Sequence, residues 1–338
     1  NYNDWGYMKL NFDKLSIASF KEGLIDFNDP LSKQLISRSL FDQCRDSKLS
    51  SIEYLDIALN LLEHEQNENI FSSLLRSING AIRGYVPLKY NQTYKKKTFD
   101  IIVKILKREL SQTPLNKDIL KQLFLYLDCY CTNDEDRKIL IGFLSEKPSF
   151  NGIEVDPKLI GQENRFRMVS NIFKSTTIAK EEKEKYLDAE VKKDNNSNDS
   201  IMAKLTCSAL IPDLKVKEDL WNKFVNQSTS ESLVNMEALM SGFAPVDQLD
   251  LVKDFLTEKF FEVLPQVGKN NESFYVKNFI TYCSPNMFIE EDIIKKMDAL
   301  VEKVKDMSQV KRYLMETTDL MKRKLVAHKL CEEYLNKK

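Results

Sequence analysis

At 338 residues the chain exceeds what one hydrophobic core usually organises, so two lobes or a quasi-repeating array are expected. Its 42% hydrophobic and 30% charged residues exclude a disordered chain. A net charge of −1 with both signs mixed along the sequence excludes a broad nucleic-acid-binding face, and no apolar run approaches the roughly 20 residues that span a bilayer. The elements then read as follows. The sequence opens on Asn1, not methionine, so an upstream segment is expected. Residues 1–13 read as the end of that segment and a linker, with the stretch from Tyr7 to Phe12 alone compatible with a short strand. Asp29-Pro30 places a capping carboxylate before a proline suited to the first helical position, and Leu31, Leu35, Leu40 and Cys44 follow near one face. Ser50 and Glu53 have capping-box spacing ahead of Ile52, Leu55, Leu59 and Leu62.

Further helices carry Ile70, Leu74, Leu75, Ile78 and Ile82, then Phe99, Ile102, Val103, Leu106 and Leu110 from about Asn91. Lys95-Lys96-Lys97 is the single basic run, and its place at the opening of that amphipathic helix reads as a solvated first turn. Pro114 is expected to begin the helix bearing Leu120, Leu123, Phe124 and Leu127, and Asp134 to cap a short one through Leu144. The stretch from Pro148 to Asp156 reads as a loop. Beyond it the periodicity marks helices over 159–173, 180–191, 199–210, 214–225, 231–240, 247–263, 274–283, 290–304 and 308–335, with an Asn/Asp-rich loop over 192–200. Nine glycines and nine prolines leave few interior breakers.

These features predict an all-α chain: an irregular α-solenoid of HEAT-like antiparallel helix pairs curved into a bowl, spanning 14–338 with sub-lobes 14–147 and 157–338. Catalytic chemistry is hard to place on it. The two histidines are His64 and His328. His64-Glu65 resembles the start of H-E-x-x-H, but Glu68 stands where zinc capture needs a second imidazole one turn on, so no metal site is expected. His64 reads as a structural residue at a helix C-terminus, and His328, among Lys324, Lys329 and Arg323, as a surface residue. The paired acids Glu181-Glu182 and Glu290-Glu291 each open a helix, where negative charge stabilises the terminus. The glycines never cluster into a phosphate loop. Six cysteines, Cys44, Cys129, Cys131, Cys207, Cys283 and Cys331, show no Cys-x-x-Cys spacing and read as buried thiols of a reducing, cytoplasmic compartment.

Several segments resemble one family in order along the chain. The opening run from Asn1 to Asp13, with Trp5-Gly6-Tyr7 at its centre, is similar to the segment of gluzincin aminopeptidases that joins a small β-domain to the C-terminal helical domain. Asp29-Pro30-Leu31 and Leu40-Phe41-Asp42-Gln43-Cys44-Arg45-Asp46 resemble that family's D-P-L … L-W-D-M-x-R-D helix, with Phe41 replacing tryptophan. The similarity continues through Glu65, Leu74-Leu75-Arg76, Pro212 to Trp221, Gly242-Phe243 and Phe260 to Pro265. Arg312, Glu316, Asp319 and Arg323 close it, resembling the terminal R-R-x-x-x-E-x-x-D-x-x-x-R helix.

The resemblance, nearest the aminopeptidase N branch, implies a C-terminal domain without catalytic residues, whose parent enzyme carries zinc on an upstream catalytic domain. That domain and peptide substrates would be its partners, with neither nucleic acid nor membrane involved. In the family the domain is a bowl that covers the catalytic cleft and contacts the distal part of the substrate. Arg45, Arg76, Arg312 and Arg323 are the candidate peptide contacts, set against the reading of each as a surface salt-bridge partner. A stand-alone HEAT-like protein-binding scaffold is the alternative, because it demands the same helix stack.

Overall fold

A computed structural model of the chain describes residues 5–6, 8–226 and 232–337. The all-α expectation holds: the described residues are overwhelmingly helical. The helices in order are α1 (Lys14–Gly23), α2 (Pro30–Arg45), α3 (Ser51–His64), α4 (Glu68–Gly84), α5 (Leu88–Leu110), α6 (Lys117–Leu127) and α7 (Asp134–Leu144). Then come α8 (Gln162–Phe173), α9 (Lys180–Lys193), α10 (Asn198–Leu210), α11 (Leu214–Val225), α12 (Leu233–Phe243), α13 (Leu249–Asp254), α14 (Phe260–Asn270), α15 (Ser273–Cys283), α16 (Glu291–Lys303) and α17 (Ser308–Asn336).

Residues 8–12 form no strand, contrary to expectation, while Tyr7 and the start of the opening motif lie outside the described residues. Instead Lys9 reaches Asp46 with Nζ–Oδ2 at 2.9 Å, so this segment is held by side chains and not by a backbone ladder. The expected loop at 148–156 contains the one hairpin among the described residues. There Ser149–Phe150 (β1) pairs antiparallel with Ile153–Glu154 (β2) across Asn151-Gly152. Both turn residues have positive φ, 50° and 80°, the geometry that Asn-Gly adopts at least cost.

The capping expectations resolve residue by residue. Asp29 accepts the Ser32 N–H and Pro30 takes the first turn, as the sequence suggests. Ser50 is the N-cap of α3 but makes no capping bond; its hydroxyl points to Cys331 Sγ at 3.5 Å. Asn133, not Asp134, caps α7, and Asn116, not Pro114, caps α6. Asn133 stands one residue before Asp134 and Asn116 two residues after Pro114; each accepts the third N–H of its helix, so Asp134 becomes helix body and Pro114 lies ahead of the helix. α13 and α14 are joined by a π-helical turn over Phe255–Lys259, giving one continuous rod with Pro265 inside it.

Contacts divide the described chain into two compact units, Asn1–Thr132 with Lys147–Ile160 and Arg323–Lys338, and Asn133–Glu146 with Gly161–Lys322. The division does not follow the contiguous halves 14–147 and 157–338: α7 groups with the second unit and the end of α17 with the first. In the first unit α4 packs on α2, α3 and α6, and α3 on α5. Leu40, Ile52, Leu55, Phe71, Leu75, Ile78, Phe99 and Ile102 are buried there, each side chain worth about 1.5–3 kcal/mol. In the second unit α8, α10, α12 and α15 lie side by side, with α9, α11 and α14 packed behind them. With α13 and α14 counted as one rod, each of these helices packs on the next but one, which is the packing of helical repeats. Trp221, Phe224, Phe243, Phe255 and Phe279 form its aromatic centre, with ring centroids 5.4 to 6.0 Å apart.

Buried cations cap helix C-termini throughout the second unit. Arg165 of α8 donates to the carbonyls of Phe143 and Leu144 at the end of α7, at 2.9 and 3.0 Å, and pairs with Glu190 through two bonds of 2.7 Å. Arg137 of α7 donates to Asn171 O in the last turn of α8, and Lys183 of α9 to Phe173 O and Ser175 O just beyond. Lys217 of α11, with no exposed surface, donates to Ala209 O of α10 at 2.5 Å and lies 3.4 Å from Gly242 O of α12. The orphan carbonyls of a helix end carry partial negative charge, so a buried cation there is both hydrogen-bonded and electrostatically favoured.

Candidate functional site

The first unit contains a cleft of about 670 Å3 between the N-terminal segment and one face of α2. Leu35, Arg38, Asp42 and Arg45 recur at three- and four-residue spacing, which puts them in line along α2; Trp5, Met8, Lys9 and Leu10 form the facing wall. The hydrogen bond from Lys9 is the main cause holding the Asp46 carboxyl below its ordinary range, and Lys48 Nζ donates to Asn11 Oδ1 at 3.1 Å. Arg45 makes one long contact, 3.4 Å to Asp42, and Arg38 is exposed with no ion pair among the described residues. Two guanidiniums beside Trp5 and Met8 can bind a carboxylate that carries an apolar group; they cannot by themselves abstract protons or attack a carbonyl.

The other sequence candidates stand apart from that cleft. Arg76 is exposed on α4, Arg323 is exposed on α17, and Arg312 belongs to the second unit. Arg312 lies 3.8 Å from Glu316 and stacks over the Tyr313 ring at 4.7 Å, so the salt-bridge reading describes its present partners. Sequence reasoning passed over Arg38 and also Arg83, whose charge acts on Lys324 of α17. Burial, followed by the Arg83 charge, lowers the proton affinity of the Lys324 ammonium. His328 is not a surface residue but half-buried, and its pKa falls to about 4, first through burial and then through Lys324, with Glu332 opposing. It is therefore neutral at pH 7. Spacing alone does not reveal such effects, because they depend on what another helix places alongside.

His64 is exposed at the end of α3, with Nδ1 2.9 Å from Asn60 O. Glu65 is buried; its Oε1 accepts the N–H groups of Gln66 and Asn67, and its other oxygen is 3.4 Å from Lys33 Nζ. The pair is a helix junction and not the beginning of a metal site. Among the described residues no group of three His, Cys, Asp or Glu side chains could hold a metal ion. Of the six cysteines Cys129 is half-exposed and the others are buried. Burial pushes the Cys207 thiol up to about 12 and those of Cys44 and Cys283 higher still, which suppresses the thiolate needed for nucleophilic attack. No described helix is long and apolar enough to cross a membrane.

A helical-repeat chain of paired helices, with binding groups on display but no assembled catalytic set among its described residues, has a counterpart among known families. The chain belongs to the family described as ERAP1-like C-terminal domain, matched over residues 1–323. It is also similar to Aminopeptidase N of Streptomyces lividans, at 23% identity over 332 residues. That alignment covers 97% of this chain but 36% of the relative, so the chain spans about a third of that protein's length.

Proposed function

We propose that the chain serves as the non-catalytic C-terminal domain of a zinc aminopeptidase that removes N-terminal residues from peptides. The collinear match to Aminopeptidase N over nearly the whole chain carries this reading. In it the HEAT-like helices form a bowl that encloses the catalytic chamber, the zinc belongs to an upstream catalytic domain, and exposed groups here contact the distal part of the substrate. Arg45, with Arg38 beside it in the α2 cleft, and Arg76, Arg312 and Arg323 are the side chains able to pair with peptide carboxylates. The burial of Cys44, Cys207, Cys283 and Cys331 as thiols supports a reducing, cytoplasmic setting.

The test compares this chain with the longer protein read from its coding region. The longer protein is expected to hydrolyse an aminoacyl amide and to lose that activity to a chelator, whereas this chain alone neither hydrolyses the amide nor binds zinc stoichiometrically. A tight zinc site on residues 1–338 overturns the reading. So does a coding region with no peptidase module upstream, which would favour the protein-binding scaffold.

A further inference from the structure

The α2 cleft holds a negative charge between its two guanidiniums, and that arrangement narrows what can occupy it. Arg38, Asp42 and Arg45 stand at i, i+4 and i+7, on one face of α2 and within about two turns. Asp42 Oδ1 and Arg45 Nη1 lie 3.4 Å apart, too long for a strong hydrogen bond, and Arg38 makes no ion pair among the described residues. On the facing wall Lys9 is already committed, with Nζ 3.0 and 2.9 Å from the two Asp46 oxygens, and nearby Lys48 bonds Asn11 Oδ1 at 3.1 Å. The cleft therefore offers a ligand two guanidiniums and one carboxylate.

Its apolar part is equally defined. Leu35 lies about one turn before Arg38 on the same face, and Trp5 and Met8 stand opposite, 83% and 59% exposed. A volume of about 670 Å3 is that of a small-ligand site. A simple carboxylate gains the guanidiniums but faces the Asp42 charge. A ligand with an ammonium beside its carboxylate satisfies all three groups. In a free α-amino acid the two charged groups are joined through a single carbon, whereas in a peptide at least one further residue, roughly 3.3 Å of extended chain, separates them. The closeness of Asp42 to Arg45 selects the free amino acid.

We propose that the α2 cleft binds a free apolar α-amino acid, with its ammonium on Asp42, its carboxylate on Arg38 and Arg45, and its side chain against Leu35, Met8 and Trp5. A free amino acid is what an aminopeptidase releases, so the site rests on the aminopeptidase reading for the source of its ligand and takes the product of that reaction. Recognition itself depends only on the charges and the apolar wall.

The test is titration of the intact chain with L-leucine, followed by tryptophan fluorescence. Of the two tryptophans Trp221 is buried, so a change on binding reports Trp5. Leucine should shift the emission to the blue and saturate. Arg38→Met and Arg45→Met, both at exposed positions, should each weaken leucine roughly tenfold with the helical spectrum unchanged. Capping the ligand's ammonium (N-acetyl-leucine) or its carboxylate (leucinamide) should cost about as much. Asp42→Asn should weaken leucine but strengthen N-acetyl-leucine, an inversion that a loss of folding does not produce. N-acetyl-leucine binding wild type as tightly as leucine overturns the proposed site. Leucyl-leucine binding more tightly than leucine makes the cleft a peptide site and overturns it too, as does no saturable shift up to the solubility limit of leucine. An active longer enzyme whose cleft ignores leucine sinks the site alone; leucine binding in a protein with no peptidase upstream sinks the aminopeptidase reading alone.

Discussion

Replacing the buried Lys217 by methionine should abolish one component of the protein's pH-dependent stability. Burial is the dominant cause that lowers the Lys217 pKa from 10.5 to about 8, with the Asp247 charge partly opposing it. The folded state therefore holds fewer protons than the unfolded state between about pH 8 and 10.5, so stability rises with pH across that window. Below about pH 8 the folded ammonium is charged and the full penalty applies. At ~1.4 kcal/mol per tenfold change in proton affinity, that penalty is about 3 kcal/mol at neutral pH, and roughly 2 kcal/mol of it is recovered between pH 7 and 9.5. Urea denaturation of wild type and Lys217→Met at both pH values isolates the effect, because other titrating groups cancel in the difference. Wild type should gain roughly 2 kcal/mol more than the variant on raising the pH. Parallel responses of the two proteins would refute the burial argument.

Arg165→Met should cost about 3–5 kcal/mol in urea denaturation, because it strands the Glu190 carboxylate and the α7 carbonyls. Lys193→Met should cost much less, since that lysine reaches Glu190 from a position partly in solvent. Gly242→Ala should lower the thermal midpoint, with a loss of about 1–3 kcal/mol, because its methyl would lie 2.7 Å from Thr206 O. Gly84→Ala, with nothing within 4 Å, should be neutral or stabilise by up to ~1 kcal/mol. His64→Ala should leave stability within ~0.5 kcal/mol, as measured by urea denaturation.

The helices were legible because amphipathic period and capping chemistry are local. Asp29-Pro30 and the apolar stripe behind it identify α2 without reference to any other part of the chain. The misreadings occur where two neighbouring residues could do the same local job, as at Asn133-Asp134. Another lies where pattern was weak, as in α1, whose one buried residue is Ile17. The candidate site was legible only in part. Arg45 carried a family motif, but its neighbour Arg38 gains meaning from the wall that Trp5 and Met8 place opposite it.

By itself, the sequence determined the all-helical class and the order of segments through which family membership is visible, since both are written in spacings of three, four and seven residues. The tertiary structure alone decided which charges are buried and which are free. Nothing local separates Lys217 from Lys204: one meets helix-end carbonyls supplied by α10 and α12, the other meets solvent. A charge takes its energy from its distance to partners and from the water left around it, and both depend on residues remote in the chain.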